Sequence, residues 1–364
     1  MSKKTAIIIS PNWRDYAEKY LNDCLDSLAE QTFSGECKYF FVDNESTDES
    51  FEYLKEIVEN KIRSSEHEII RIKHNAGFAE GNNQAMKLAI EQGYDYLILF
   101  NMDTVIEKSA VAKIIEIAES NEKIGVVQAR LMLWTPSGQA EKNKINSLGN
   151  STHFLGFGYC EGYGEKLQAT SYKLQVKDIF YPSGAAFLIK AGVIKKIGYF
   201  DEEFWMYNED QDLGWRAWLA GYRCILAPEA IVYHKYEFSR SITKYYWMDR
   251  NRLLVILKNY HFLTLLMILP ALIIMEFGLF LFALKGGWIK DKIKIYKYFL
   301  SINNWRYIIR ARQDCQKTRK IKDKEIAKMI TGKIWYQEVD DWKLRAINPV
   351  FNFYWKVIKS IIIW

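Results

Sequence analysis

Along the first third of the chain, short apolar runs alternate with stretches in which apolar residues recur every three or four positions. An unbroken apolar run suits a strand buried on both faces, and the longer spacing suits a helix with one apolar side. The alternation predicts strands at 5–9, 37–42, 68–72 and 94–100, with a fifth at 124–128. Three helices are predicted between them. Tyr20, Leu21, Cys24, Leu25 and Leu28 mark one face of the first. The second opens on Ser46-Thr47-Asp48-Glu49, the pattern of a capping box. The third follows Gly77 and passes through Ala85, Met86 and Ala89 toward Gly93. Units of this length build an α/β domain with a mostly parallel sheet flanked by helices.

Past residue 128 the alternation weakens. Gly149 to Gly164 is rich in glycine and aromatic residues, which suits a hairpin or a mobile loop over a site. A helical period returns at 209–220 and stops at Gly221, followed by short strands at 223–226 and 231–233. We place a boundary near 235. This predicts a domain at 1–235, with halves of about 1–130 and 131–235, and a second region at 236–364.

That second region differs in charge. Residues 1–235 carry 26 Lys+Arg against 34 Asp+Glu, and residues 236–364 carry 24 against 10, so the overall +6 conceals parts of −8 and +14. The basic part also holds 262–284, a 23-residue apolar run interrupted only by Pro270 and Glu276. A basic surface beside such a run points to anionic lipid and not to nucleic acid. About 20 apolar residues span a bilayer, so the length allows a crossing. Arg250, Arg252 and Lys258 precede the run, however, and fifteen Lys+Arg against four Asp+Glu follow it in 285–333. One crossing would carry that basic block across, against the positive-inside tendency. The expectation is therefore a monotopic or re-entrant segment, bent near Pro270, on the cytoplasmic face of the cell membrane. Phe351, Phe353, Tyr354, Trp355 and Trp364 would serve as interfacial anchors. The competing reading is a soluble helical subdomain whose apolar run is buried or forms a homo-oligomer interface.

Apolar residues make up 49% and aromatic residues 15% of the chain. An aromatic excess serves ligand-stacking surfaces as well as a dense core. The five cysteines are scattered, odd in number and form no CxxC, which reads as reduced cytosolic thiols. The apolar stretch after Met1-Ser2-Lys3-Lys4 is too short for a signal peptide, so no export is expected.

In a parallel sheet every strand's C-terminal end lies on one edge, where ligands bind. The residues following the first four strands are Pro11-Asn12, Asp43-Asn44, His74-Asn75 and Asn101-Met102-Asp103. Loops are polar in any case; four polar strand ends in succession, two of them acidic, favour a site. No GxGxxG follows the first strand, and GxxxxGK[ST], GxSxG and HExxH are absent. Dinucleotide oxidoreductases, P-loop ATPases and α/β-hydrolases lose ground accordingly. A carboxylate-rich edge suits a divalent cation neutralising a diphosphate, with a separate carboxylate to take a proton.

Four segments carry a resemblance: 42–48 (VDNESTD), 75–83 (NAGFAEGNN), 101–103 (NMD) and 208–216 (NEDQDLGWR). In this order they resemble the family 2 glycosyltransferases, and more narrowly their rhamnosyltransferase-like branch. The resemblance implies the GT-A nucleotide-diphospho-sugar transferase fold, an inverting transfer, and Mg2+ or Mn2+ as cofactor. It places Pro11 and Asn12 beside the donor and Asp43 on the donor's pyrimidine base, although Asp43 could equally cap the next helix. Asn75, Gly77 and Gly81 would let backbone approach the nucleotide, glycine lacking the Cβ that would block it. An ordinary loop leading into a helix is the alternative. Asp103 would ligate the metal.

The chain departs from the family's usual Asp-x-Asp, since Asn101 holds the first position. Its amide oxygen can meet a ribose hydroxyl or a metal but brings no charge, so Asp103 becomes the decisive carboxylate. His234, after the last predicted strand, is either a second metal ligand or structural. In the acidic cluster the resemblance selects Asp210 as the general base that an inverting transfer needs. Glu209 and Asp212 would orient it, contact the acceptor, or simply favour a helix N-terminus. Arg216 would pair with Asp212 or reach the diphosphate. Trp205 and Tyr207 could stack on a sugar, whereas Trp215 and Trp218 pack inward. Ser183-Gly184-Ala185 matches the family's segment beside the acceptor, or is a tightly packed strand.

The expectation is an inverting transfer from a UDP- or dTDP-sugar, dTDP-rhamnose included, to an oligosaccharide or lipid-linked acceptor in cell-surface polysaccharide synthesis. One alternative is a sugar nucleotidyltransferase, which would want a glycine-rich basic loop where Asn12-Trp13-Arg14 stands. Another is a non-catalytic, membrane-associated saccharide-binding or scaffold protein.

Overall fold

A computed structural model describes residues 3–62, 66–134, 143–167, 175–236, 245–334 and 342–364. Met1 and Ser2, the start of the stretch read for a leader, lie outside them. The first half runs β1 (Thr5–Asn12), α1 (Tyr16–Ala29), β2 (Cys37–Asn44), α2 (Ser50–Lys61), β3 (His67–Ile72), α3 (Gly77–Glu91), β4 (Tyr96–Phe100), β5 (Thr104–Ile106), α4 (Ala110–Glu119) and β6 (Ile124–Leu133). It continues with β7 (Ile145–Ser147), β8 (Asn150–Thr152), β9 (Gly158–Cys160), β10 (Lys177–Asp178), β11 (Ala186–Lys190), α5 (Ala191–Ile197), α6 (Glu209–Leu219) and β12 (Arg223–His234). Helices follow: α7 (Tyr245–Asn259), α8 (Phe262–Lys285), α9 (Ile289–Leu300), α10 (Ile302–Thr318), α11 (Asp323–Met329) and α12 (Trp342–Ile361).

Among the described residues the main sheet has the order β10-β12-β6-β11-β4-β1-β2-β3, with β5 on β12 and β7 on β6. The longest pairings are parallel: β1 with β2 and β4, β2 with β3, and β6 with β12. β11 enters antiparallel between β4 and β6. The central strands β1, β4 and β11 are largely apolar because both faces are covered. On β1, Ile7 and Ile9 face the layer of α1, α2 and α4, whereas Ala6 and Ile8 face that of α3, α5 and α6. A third core joins α7 and the later helices to Phe154, Phe180 and Trp215. There Phe154 stacks on Trp355 with ring centroids 5.1 Å apart.

The five early strands and three helices form where the periodicity puts them, and 149–164 contains the β8–β9 hairpin. Four details differ. The capping box is not made: α2 begins at Ser50, whose N–H reaches Asp48 Oδ1 at 3.2 Å, while Ser46 Oγ accepts from Asn12 Nδ2 and the Arg14 amide, both at 3.3 Å. The two last strands are one, β12, whose register on β6 shifts between Ala227 and Ile231. Pro228 stands there and has no N–H to give a ladder. β11 had no periodic signal, being five residues long. Finally, α8 continues as one helix through Pro270.

Candidate active site

The C-terminal ends of β1, β2, β4 and β12 converge with the start of α6. Asp103 lies just past β4 and is buried. Its Oδ2 accepts from the Tyr16 hydroxyl at 2.6 Å, and its Oδ1 is 3.3 Å from His234 Nε2. β12 delivers the histidine by pairing antiparallel with β5, His234 opposite Thr104. On the far side of the ring, Nδ1 is 3.0 Å from Asn146 Oδ1. An amide oxygen can only accept, so Nδ1 is the donor in this contact and Nε2 is the ring nitrogen turned toward Asp103. Asn101 Oδ1 is buried without a hydrogen-bond partner.

This donor set fits a hard divalent ion. One carboxylate and one imidazole face each other, the imidazole is oriented from behind, and an uncommitted amide oxygen sits two residues before the carboxylate. Among the described residues no group of three His, Cys, Asp or Glu surrounds such a position.

At the ends of β1 and β2, fully buried Asp43 accepts from Asn12 Nδ2 at 3.2 Å and from the Ser46 amide at 3.2 Å, with Arg71 Nε at 3.5 Å. Asn12 Oδ1 accepts from the Ala17 amide at 3.0 Å, tying β1 to α1. Asn75 Oδ1 takes the Gly77 amide at 3.1 Å and Asn44 Nδ2 at 3.2 Å. The glycines make room for protein atoms: a Cβ on Gly81 would stand 2.4 Å from Pro11 Cγ, and one on Gly77 would stand 2.5 Å from the Trp205 carbonyl oxygen. Gly77 also has φ +66°, a region costly for a side-chain-bearing residue.

Helix α6 opens the acidic cluster. Half-buried Asp210 accepts the Gly184 amide on Oδ2 at 3.0 Å and the Gln211 amide on Oδ1 at 2.7 Å. One residue on, the Ala185 carbonyl accepts the Asn101 amide at 2.9 Å. The segment 183–185 therefore bridges the strand end that carries Asp103 and the helix start that carries Asp210. Loss of water around Asp210 pushes its carboxyl up to about 6. Glu209 is buried and pushed well above the usual range by burial and then by Asp210; its Oε2 has no partner.

Asp212 points elsewhere. It is fully buried, 2.8 Å from Arg216 Nε, 3.0 Å from Lys258 Nζ and 2.9 Å from Asn259 Nδ2. Despite burial, these cations hold its carboxyl down at about 2. Arg216 gives its remaining donors to the carbonyls of Ile197, Gly198 and Tyr199, so it is an internal tie and not a diphosphate ligand. One face of Trp205 is covered by Trp247 at a centroid distance of 4.7 Å. Its indole N–H reaches the Asn75 carbonyl at 3.3 Å, and its own carbonyl accepts the amides of Phe78 and Ala79 at 2.7 and 3.0 Å, capping α3. Trp215 is buried, and Trp218 Nε1 donates to the Ile179 carbonyl at 3.1 Å.

Tyr16, Asn146 and Asn251 escaped the reading of the sequence. Each is a lone polar residue whose partner is remote along the chain, and no local pattern distinguishes it from a surface residue.

Comparison with known proteins follows this geometry. The family model described as Glycosyl transferase family 2 matches residues 7–198. The poly-beta-1,6-N-acetyl-D-glucosamine synthase of Staphylococcus aureus (strain COL) is 26% identical over 190 residues, 52% of this chain and 40% of that protein. The Staphylococcus epidermidis synthase of the same name is 26% identical over 184 residues, 50% of this chain and 40% of that one. The chain thus spans 40% of the length of these relatives. A crystal structure of GalNAc-T7 with UDP, GalNAc and Mn2+ superposes with a TM-score of 0.55 at 13% identity, covering 70% of this chain and 48% of that one. S. aureus TarS 1–349 in complex with UDP covers 98% of this chain and 90% of that one, at 17% identity and a TM-score of 0.48.

Proposed function

The chain belongs to glycosyl transferase family 2 and has the GT-A fold, and from that premise we propose that it transfers a sugar from a nucleotide-diphosphate donor, with inversion, to a saccharide acceptor in surface-polysaccharide synthesis. The arrangement that carries this reading is the 183–185 bridge, with Asn101 hydrogen-bonded on one side and Asp210 on the other. A leaving-group end and a proton-accepting end then share one edge of the sheet.

In this reading Asp43, with Asn12 behind it, receives the donor's base, and Asn75, Gly77 and Gly81 shape the loop beside the nucleotide. Asp103 and His234 hold Mg2+ or Mn2+, and Asn101 adds a neutral oxygen. The ion's contribution is positive charge against the departing diphosphate. Asp210 takes the acceptor hydroxyl's proton as that oxygen attacks the anomeric carbon from the opposite face. Its carboxyl, at about 6, is ionised at neutral pH yet basic enough for the task. The Gly184 and Gln211 amides fix its two oxygens. Glu209 lies next to it without a partner on Oε2 and suits contact with the acceptor.

We further propose that 1–235 is the catalytic domain and that 236–364 holds it to the cytoplasmic face of a membrane, where the acceptor is lipid-linked. Support comes from α8, with mean hydropathy 2.5, which leaves Phe262, Leu266, Ile273, Ile274 and Phe277 exposed. Its one acidic residue, Glu276, faces inward, paired with Lys292 at 2.7 Å and with Arg252. An apolar outer side with its charge neutralised inside suits a helix lying in an interface.

The test is a panel of nucleotide sugars, including UDP-N-acetylglucosamine and dTDP-rhamnose, assayed with Mn2+ and Mg2+ for hydrolysis and transfer. Asp103→Ala and Asp210→Asn both lose turnover, while Asp210→Asn still binds donor. Full turnover by Asp210→Asn would refute the assignment of the base.

A further inference from the structure

We infer that Asn251, on α7, is a positioning residue for the reaction: it holds the turn that precedes α6 in a left-handed conformation and thereby aims Asp210. The inference rests on the reading of Asp210 as the base.

The turn is unusual. Trp205, Tyr207 and Asn208 have φ of +57°, +68° and +65°, three non-glycine left-handed residues within four positions. Such conformations persist only where their surroundings over-determine them. Here three of the four carbonyls of 204–207 face one side chain, the Phe204 oxygen also accepting the Met206 amide at 2.6 Å. Asn251 Nδ2 lies 2.9 Å from the Phe204 oxygen, 2.9 Å from that of Met206 and 2.7 Å from that of Tyr207. The fourth, on Trp205, caps α3 through Phe78 and Ala79. α6 then starts from the Asn208 carbonyl, which accepts the Asp212 amide at 2.9 Å. The direction of Asp210 is thus set within two residues of a turn pinned from both sides.

The residue type matters. Asn251 is fully buried, and its Oδ1 accepts from Arg250 Nε at 3.0 Å and Nη2 at 2.8 Å. That contact fixes which end of the amide is oxygen, so both N–H groups point at the turn. Arg250 also donates to the Glu203 carbonyl and lies over the Trp247 ring at 4.5 Å, the same ring that stacks on Trp205. Three side chains of one helix therefore grip 203–207. An aspartate has nearly the same shape but only acceptor oxygens, which would face three carbonyls.

The test uses the full chain in detergent micelles, with Mn2+, UDP-N-acetylglucosamine as donor and water as acceptor, and UDP binding measured by calorimetry. The groups facing Asp210 are Glu209 on its own helix and Tyr181 just before Gly184, so the acid limb of the kcat profile reports the surroundings of that cluster. Asn251→Asp is expected to lower kcat on the order of 10- to 100-fold, as a displaced catalytic group does. It should also move the acid limb away from its wild-type position, because a released turn changes the water and charge around Asp210, and should leave UDP affinity within about twofold. Asn251→Gln, which keeps the donors, recovers part of the rate, and Met248→Ala, on the exposed side of α7, behaves as wild type. If the aspartate does not fold, Asn251→Ala carries the same two readouts. A rate within about twofold of wild type would overturn the inference, as would a lower rate with an unmoved acid limb, which marks simple loss of folded protein. Asp210→Asn turning over at full rate, or no donor turned over by wild type, would instead remove the underlying reading whatever Asn251→Asp does.

Discussion

Nε2 of His234 and Oδ1 of Asp103 lie 3.3 Å apart, brought together by the antiparallel pairing of β12 with β5. Asn146 Oδ1 accepts from the other ring nitrogen, which leaves Nε2 as the one turned to the carboxylate. Removing such an orienting partner typically weakens metal binding 10- to 100-fold. Asn146→Ala should therefore need about 10 to 100 times more Mn2+ for half-maximal donor hydrolysis, with kcat at saturating metal little changed. Asp103→Ala should show no turnover at any metal concentration. An unchanged Mn2+ titration for Asn146→Ala would make His234 a structural residue.

The two aspartates of α6 should respond oppositely to pH. Asp210 is raised to about 6, so the folded state binds its proton more tightly than the unfolded state does. Its contribution to stability is therefore present at low pH and is lost as pH rises toward 6. Asp212 is held at about 2, so its contribution is present above pH 4 and disappears on acidification toward pH 2. At pH 8, Asp210→Asn should unfold at higher denaturant, by on the order of 1 kcal/mol, while abolishing turnover. Denaturant titrations at pH 5 and pH 8 check the sign for Asp210, and titrations at pH 3 and pH 5 check it for Asp212.

Asp212→Ala should cost about 3–5 kcal/mol, because it leaves buried Arg216 with no carboxylate and buried Lys258 with Asp201 alone. The loss should appear as a lower unfolding midpoint, with the affinity of the remaining folded protein for UDP unchanged. A wild-type midpoint would show that the cations find other partners.

Gly77→Ala tests the nucleotide-side loop. The new Cβ would meet the Trp205 carbonyl at φ +66°, and that carbonyl cannot retreat without releasing the cap of α3. Strain of this kind costs about 1–3 kcal/mol. A rise in donor KM accompanied by a lower melting temperature is expected, measured side by side with Gly192→Ala, where the added Cβ meets nothing.

Strands buried on both faces are legible because they need every residue apolar, and helices because one side must be. The acid groups stood out for a similar reason: Asp43, Asp103 and Asp210 sit where elements end. Ser46 misled because a capping pattern says nothing of tertiary competitors, and here Asn12 and Arg14 claim the hydroxyl. The Trp205–Trp247 stack was not legible, because an aromatic beside an acidic cluster gives no local sign of the remote ring that covers one of its faces. Asn251 could not be found at all, since its value lies in three carbonyls more than forty residues away.

The outer side of α8 predicts how the protein partitions. Ile273→Glu with Phe277→Glu places two charges on an exposed apolar strip without touching the buried Glu276 pairs. The double variant should leave the membrane fraction on carbonate extraction and still hydrolyse a water-soluble donor. Retention in the pellet would show that α8 is not what binds.

The placement of β11 bears on how the molecule is made. Because it is the wedge between β4 and β6, a nascent chain that has emerged only as far as residue 130 has two hydrophobic strands with bare flanks and nothing to join them. Those flanks are open to the wrong neighbour until some sixty further residues leave the ribosome. Assembly of the two halves is thus delayed to a late moment of synthesis, and a translation product halted before Ala186 is destined for aggregation or for a chaperone.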